Sequence, residues 1–197
     1  EAVAEGPHVA EREGDTLVIR SAVEDGEDTG SYFHYRRGGI RIRTGQRSRL
    51  SIGGIEMEPL KVRINPRLAL QLESQAGSIR ISGMRGPIKA GVQAGSLTID
   101  GFRGPLDLSV QAGSLRGSGI LNQGASKISC EAGSLRLHLE HGSSVRVRAR
   151  STLGKLSLGD SDTVSVGGGT EEMVIGAGQA TLEVDASMGS VRIVGDS

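Results

Sequence analysis

Few side chains in this 197-residue sequence have the type and spacing that chemistry requires. Two histidines and a glutamate stand together in HLEH, His138 to His141 with Glu140 between. Such a set can ligate zinc. At strand spacing, however, residues three apart point to opposite faces, so no metal site is expected. Cys130 is the sole cysteine and can build neither a disulfide framework nor a cysteine zinc site. Serines are abundant, but they recur in the tripeptide Ala-Gly-Ser at 76–78, 94–96, 112–114 and 132–134. A nucleophile would be expected once. No G-x-S-x-G elbow, H-E-x-x-H or P-loop occurs. Asp100, Asp107 and Asp185 stand singly, whereas glycosidic hydrolysis uses paired carboxylates. The expectation is a chain with no catalytic residue, no metal and no cofactor. A polysaccharide-acting β-helix enzyme is the weakest alternative.

Arginine offers a different chemistry, the binding of anions. The chain is neutral overall, with 23 Lys plus Arg against 23 Asp plus Glu, so bulk charge argues against a nucleic-acid partner. The charge is unevenly spread. Residues 1–31 hold nine acids and two bases, and residues 32–67 hold nine bases and two acids. Arg36, Arg37, Arg41, Arg43, Arg47 and Arg49 form a basic strip suited to lipid headgroups or a polyanion. Four of them lie in YRRGGIRIR, which reads as a hairpin about Gly38-Gly39. A second set recurs farther on: Arg80, Thr98, Arg116, Arg136, Ser157 and Arg192 occupy the same place in successive repeats. These would form a partial arginine ladder on an outer face, whose bland alternative is a solvated surface balanced by acidic neighbours.

That repeat decides the architecture. QAGSIRISGMRGPIKAGV at 75–92 is followed by QAGSLTIDGFRGPLDLSV at 93–110, then by units starting at Gln111 and Glu131. The anchor glycines Gly77, Gly95, Gly113 and Gly133 are 18, 18 and 20 residues apart, and weaker copies surround Gly154, Gly178 and Gly189. Apolar residues sit two and four places after the anchor, as in Ile79/Ile81, Leu97/Ile99 and Leu135/Leu137, and again seven, five and three places before it, as in Ile88/Ala90/Val92 and Leu106/Leu108/Val110. Alternation of period two over such lengths means short strands with one face buried. Gly86-Pro87 and Gly104-Pro105 supply corners. Equivalent positions hold equivalent residues, as stacking like on like requires. The sequence therefore predicts an all-β, β-solenoid-like stack of 18–20-residue units over 59–197, about six coils and roughly 30 Å long. Residues 1–58 should form an N-terminal β cap of the same domain; the non-repeating residues 1–67 hold strand-like pieces at TLVIRS, SYFHYR, RLSIGG and, just past the cap boundary, LKVRI.

Several smaller expectations follow. Cys130 takes the place of Val92 and Val110 and should be a small core residue. The turns lack the aspartates of calcium-binding nonapeptide repeats, so calcium is not expected there. Tyr32, Phe33, Tyr35 and Phe102 are the only aromatic residues, which disfavours partners held by ring stacking. Their scarcity suggests a core too thin for rings. No apolar run approaches the 18 residues of a membrane-spanning helix. The chain starts at Glu1 with no visible leader, as a processed or trimmed form would.

The recurring pattern apolar-x-Ser/Thr-x-Ala-Gly-Ser-Leu-x-Leu-x-Gly-Leu-x-Gly-Pro-Leu, best seen over 73–119, resembles the bacterial "putative adhesin" or toastrack family of β-strand-repeat domains. The resemblance covers about residues 59–195, and DTLVIRS at 15–21 is similar to the strand that opens such domains. It implies a non-enzymatic, envelope- or membrane-associated bacterial domain engaged in sensing or scaffolding, and it transfers no functional residue. The leading expectation is a binding or scaffolding module with flat faces for a protein or polymer partner, and with self-association through strand pairing as a further option. The alternative is a polyanion- or anionic-membrane-binding domain using residues 36–49. Envelope association is favoured, with a cytoplasmic location as the alternative. Arg36, Arg37, Arg41, Arg43, Arg80, Arg116 and Arg136 are the candidate anion or partner contacts.

Overall fold

A computed structural model describes residues 3–5, 8–13, 16–21, 32–36, 39–44, 61–63, 65–159, 165–166 and 169–196. The expected strand at RLSIGG, and Arg37, Arg47 and Arg49, lie outside these. Among the described residues there are strands, turns and bends but no helix.

The repeat region folds into long bent strands: β7 (Ala69–Ser82), β8 (Ile88–Phe102), β9 (Leu106–Gly119), β10 (Ala125–Leu139), β11 (Val145–Leu158) and β14 (Ala180–Gly195). Each has two arms. In β8 the buried residues before the anchor are Ile88, Ala90 and Val92, and after it Leu97, Ile99 and Phe102. The buried set changes parity between Val92 and Leu97, which a straight strand of period two cannot do. The strand must bend, and it bends at Gly95. The inward side chains of both arms fill one apolar core.

The bend explains the glycine column. Gly77, Gly95, Gly113, Gly133, Gly189 and Gly154 have φ of 122°, 140°, 144°, 149°, 132° and 151°, in the region where a side chain is strained. Close approach forbids it as well. A β-carbon built on Gly95 would fall on the carbonyl oxygen of Gly77, and one on Gly113 would fall on that of Gly95. The series continues through Gly133, Gly189 and Gly154, each over the carbonyl of the glycine before it.

The order of that series departs from the sequence. Sequential coils would place β11 on β10, but the parallel order is β7-β8-β9-β10-β14-β11. The last strand of the chain is inserted between β10 and β11, pairing with β10 from Ala125↔Thr181 to Leu139↔Gly195 and with β11 from Val145↔Ala180 to Leu158↔Ile193. The connection from β10 to β11 is held across this gap by two serines. The Ser143 hydroxyl donates to the Glu140 carbonyl (2.8 Å) and accepts from the Leu121 amide (3.3 Å). The Ser144 carbonyl and hydroxyl accept the amides of Ala180 (2.8 Å) and Gln179 (3.2 Å). The weak copy at Gly178 is no coil: this glycine lies in the turn between β13 (Gly169–Ile175) and β14. β13 and the short β12 (Ser165–Val166) pair antiparallel with the outer edge of β11, so the exposed edge of a parallel stack is covered.

At the other end β5 (Gly39–Thr44) joins the first arm of β7 in parallel, from Gly39↔Ala69 to Thr44↔Ser74. It continues as an antiparallel meander through β4 (Tyr32–Arg36), β3 (Thr16–Ser21) and β2 (His8–Glu13). The β4–β5 pairing ends at Arg36↔Gly39, the hairpin expected of YRRGGIRIR. β1 (Val3–Glu5) and β6 (Lys61–Arg63) form a separate antiparallel pair.

One expectation about the core fails. Phe102 is fully buried, so the core does hold a ring. Room is made by glycine in the next coil. A β-carbon on Gly119 would stand 2.7 Å from Phe102 Cγ, and one on Gly117 would stand 3.5 Å from Phe102 Cε1. In the same column, on the strands either side of Gly117, stand Ile99 and Leu137, so the ladder gives up one apolar side chain to seat the ring.

The glycine column yields a contrast that mutation can measure. Gly133→Ala adds a β-carbon both at positive φ and onto a backbone oxygen, and should destabilise by more than about 2 kcal/mol. Gly91→Ala, on the same kind of strand but with nothing within 4 Å of the new atom, should be neutral or stabilise by roughly 0.5–1 kcal/mol. Denaturant midpoints of the two variants check this; equal losses would mean that the stacking does not require the glycines.

Candidate functional site

Because both arms present every second residue outward, the coil stack displays two sets of columns. The set on the first arms is charge-balanced. One column runs Gln71, Lys89, Asp107, Lys127, Glu183, Arg148, Glu172 in spatial order, alternating in sign from Lys89 onward. Lys89 Nζ meets Asp107 Oδ2 at 3.0 Å, and Arg148 Nη2 meets Glu172 Oε1 at 2.7 Å. These pairs are exposed and each contributes about 1 kcal/mol at most. Their effect is to leave the face without net charge. The next column carries Asp185 beside Arg150, with Arg43 of β5 in register with Glu73. A shallow trough of about 400 Å³ runs along the start of these arms, lined by Pro87, Pro105, Lys89 and Asp107 among others. Its charged groups already satisfy one another.

The second arms differ. The column one place after the anchors reads Ser78, Ser96, Ser114, Ser134, Ser190, Lys155, and the next outward column reads Arg80, Thr98, Arg116, Arg136, Arg192, Ser157. The third holds Ser82, Asp100, Ser118, His138 and Val194. Ser96 Oγ donates to Ser78 Oγ at 2.9 Å, so hydroxyls bridge from coil to coil. Arg80, Arg116, Arg136, Arg192 and Lys155 are exposed, with Asp100 the acid among these columns. Arg116, Arg136 and Arg192 occupy consecutive coils and form no ion pair among the described residues. By sequence order Arg192 belongs at the far end of the stack. The insertion of β14 brings it beside Arg136.

Six of the seven candidate arginines lie within the described residues, in two different parts of the sheet. Arg36, Arg41 and Arg43 lie on the β4–β5 hairpin, whose register joins the first arms; Arg37 is outside the described residues. Arg80, Arg116 and Arg136 lie on the second arms, with the uninterrupted run shifted to Arg116, Arg136 and Arg192.

The remaining reactive groups have structural surroundings. Cys130 is buried between Val110 and Ala186, and burial pushes its thiol above the ordinary value. His138 Nε2 donates to Asp196 Oδ1 at 2.8 Å, while the Asp196 amide donates to the Leu139 carbonyl, clipping the end of β14 to β10. The hydrogen bond from His138 holds the Asp196 carboxyl below its usual range; slight burial opposes this, and the His138 and His141 charges and a backbone hydrogen bond with His141 add to it. A depressed carboxyl stabilises the fold above its unfolded value and ceases to as pH falls through the folded one. Among the described residues no cluster of His, Cys, Asp and Glu is arranged to hold a metal. The buried Ser126, like Ser143, acts as a backbone partner: its Oγ accepts the Leu106 amide at 3.1 Å, in the 20-residue unit that lacks the proline corner.

No family model matches the chain, and no curated protein matches it. Among solved structures it is similar to a "putative cell adhesion protein" from Clostridium sporogenes, with 13% identity and a TM-score of 0.50, over 92% of this chain and 82% of that one. The likeness is one of fold. At 13% identity it reaches no further than the fold.

The environment of Cys130 makes a direct forecast. In the native protein its thiol should resist iodoacetamide in mildly alkaline buffer, since thiolate is the reactive form, and should be alkylated fully in concentrated guanidinium. Mass spectrometry reads both; rapid native alkylation would place the residue outside the core.

Proposed function

We propose that this chain is a non-enzymatic contact module of an adhesin-like, envelope-associated bacterial protein, and that the second-arm face is its contact surface. The observation that carries this is the difference between the two faces. They are built by the same repeat, yet the first arms carry a column of charges alternating in sign, with ion pairs at Lys89–Asp107 and Arg148–Glu172, while the second arms place three arginines in consecutive coils with no ion pair among the described residues. A face needed only for solubility has no reason to differ in this way. The regular columns suit a partner that is itself extended or repetitive, because each coil repeats the contact of the last. The serines support a binding role over a catalytic one, since they form a column in which every member is equivalent. The likeness to an adhesion protein agrees with this at the level of fold.

Sedimentation of the labelled protein with bacterial envelope fractions tests the proposal. Saturable binding that leaves the envelope polymers intact is expected. Absence of saturable binding would contradict it, and release of reducing ends would point to an enzyme instead.

A further inference from the structure

We infer that the Arg116–Arg136–Arg192 ladder, with the serine column beside it, binds a linear anionic polysaccharide laid along the coil axis. This rests on the second-arm face being the contact surface, and it names the chemistry of the ligand. Neighbouring strands are roughly 4.8 Å apart, so the ladder offers three guanidinium groups at that repeat. A chain whose acidic groups recur about every 5 Å can meet each one without changing its own conformation. Such a match is additive, and a guanidinium meets a carboxylate through two parallel hydrogen bonds. Ser114, Ser134 and Ser190 stand in register with one another, two residues before the three arginines. Their hydroxyls both donate and accept, which fits a hydroxyl-rich polymer.

The same columns disfavour other polyanions. Single-stranded nucleic acid is held by stacking bases on aromatic rings, and these columns carry none. Anionic membranes are engaged by basic residues combined with inserting apolar ones. Along this face the arginines are flanked by serine, with Val194 as the apolar exception and half-buried. The exposed Leu153 and Met188 stand at the corner, in the column before the anchor glycines, not among the arginines.

The ladder depends on the strand order. Without β14 between β10 and β11, Arg136 would neighbour Ser157, and the run would be two arginines long.

The test uses polygalacturonate, a linear polymer with one carboxylate per sugar, with neutral dextran, single-stranded DNA and phosphatidylglycerol vesicles as comparisons. At low salt the protein should bind polygalacturonate and ignore dextran, with affinity falling as salt rises at a log–log slope of about −2 for three neutralised charges. The Arg116→Gln/Arg136→Gln/Arg192→Gln variant should bind at least about tenfold more weakly. Lys89→Gln/Lys127→Gln, on the balanced face, should bind as the parent does. All three arginines are exposed, and circular dichroism with thermal unfolding confirms that each variant keeps the fold. Equal binding by the triple variant, or tighter binding to DNA or vesicles than to polygalacturonate, overturns the inference. Failure to bind polygalacturonate while envelope binding stays saturable also overturns it, and leaves the contact-module proposal standing. Loss of envelope binding alone would count against that proposal instead.

Discussion

Each coil of this protein turns its corner by placing a peptide carbonyl where the next coil's β-carbon would otherwise be. That approach, repeated from Gly77 to Gly154 through the six anchors, fixes the bend of every strand and the register of every coil. Once it is set, inward columns must be mainly apolar on both arms, and they are, with Ser74, Ser126 and Ser151 as buried exceptions. Outward columns must repeat, because a slip by one residue would turn the whole buried set to solvent. The flat faces on which any binding must occur are therefore a consequence of the corner.

The same constraint permits the inserted strand. A parallel stack accepts any coil whose anchor glycine and inward residues match, irrespective of its place in the chain. β14 matches β10 at Gly133↔Gly189, Ser134↔Ser190, Leu135↔Val191 and Arg136↔Arg192, and so takes the interior place. β11, with Lys155 where the interior coils carry serine, is left near the end, where β12 and β13 cover its outer edge. Insertion thus joins the two ends of the account: it closes the stack and lengthens the arginine ladder.

Much of this was legible in the sequence. The glycine spacing and the two apolar alternations indicated stacked strands, the inward places of Ile88 through Val92 and of Cys130, and an outward arginine column. The order of the final coils does not follow from the glycine spacing, because chain order need not be stacking order. A signal was present: SMGSVRI keeps the serine and arginine of EAGSLRL, whereas TLGKLSL has lysine and serine in those places. Compared column by column, the last copy belongs beside the fourth. Nor could Phe102 have been placed by composition, since its ring is seated by two glycines of a neighbouring coil, a compensation visible only once the register is known. The balanced charge of the first arms was equally hidden, because Lys127 and Glu183, neighbours in space, lie far apart in the chain.

The order β10-β14-β11 is the point on which both the fold and the ladder turn, and cross-linking tests it most directly. In a Cys130→Ala background, Ser134→Cys/Ser190→Cys sets two cysteines on paired positions of adjacent strands, at a separation of roughly 4.8 Å that a disulfide can span. Ser134→Cys/Lys155→Cys sets them two strands apart, roughly 9.6 Å, which it cannot. Mild oxidation should close an intramolecular disulfide in the first variant and none in the second. A disulfide in the second and none in the first would show sequential coils, and would contradict both the inserted strand and the three-arginine ladder.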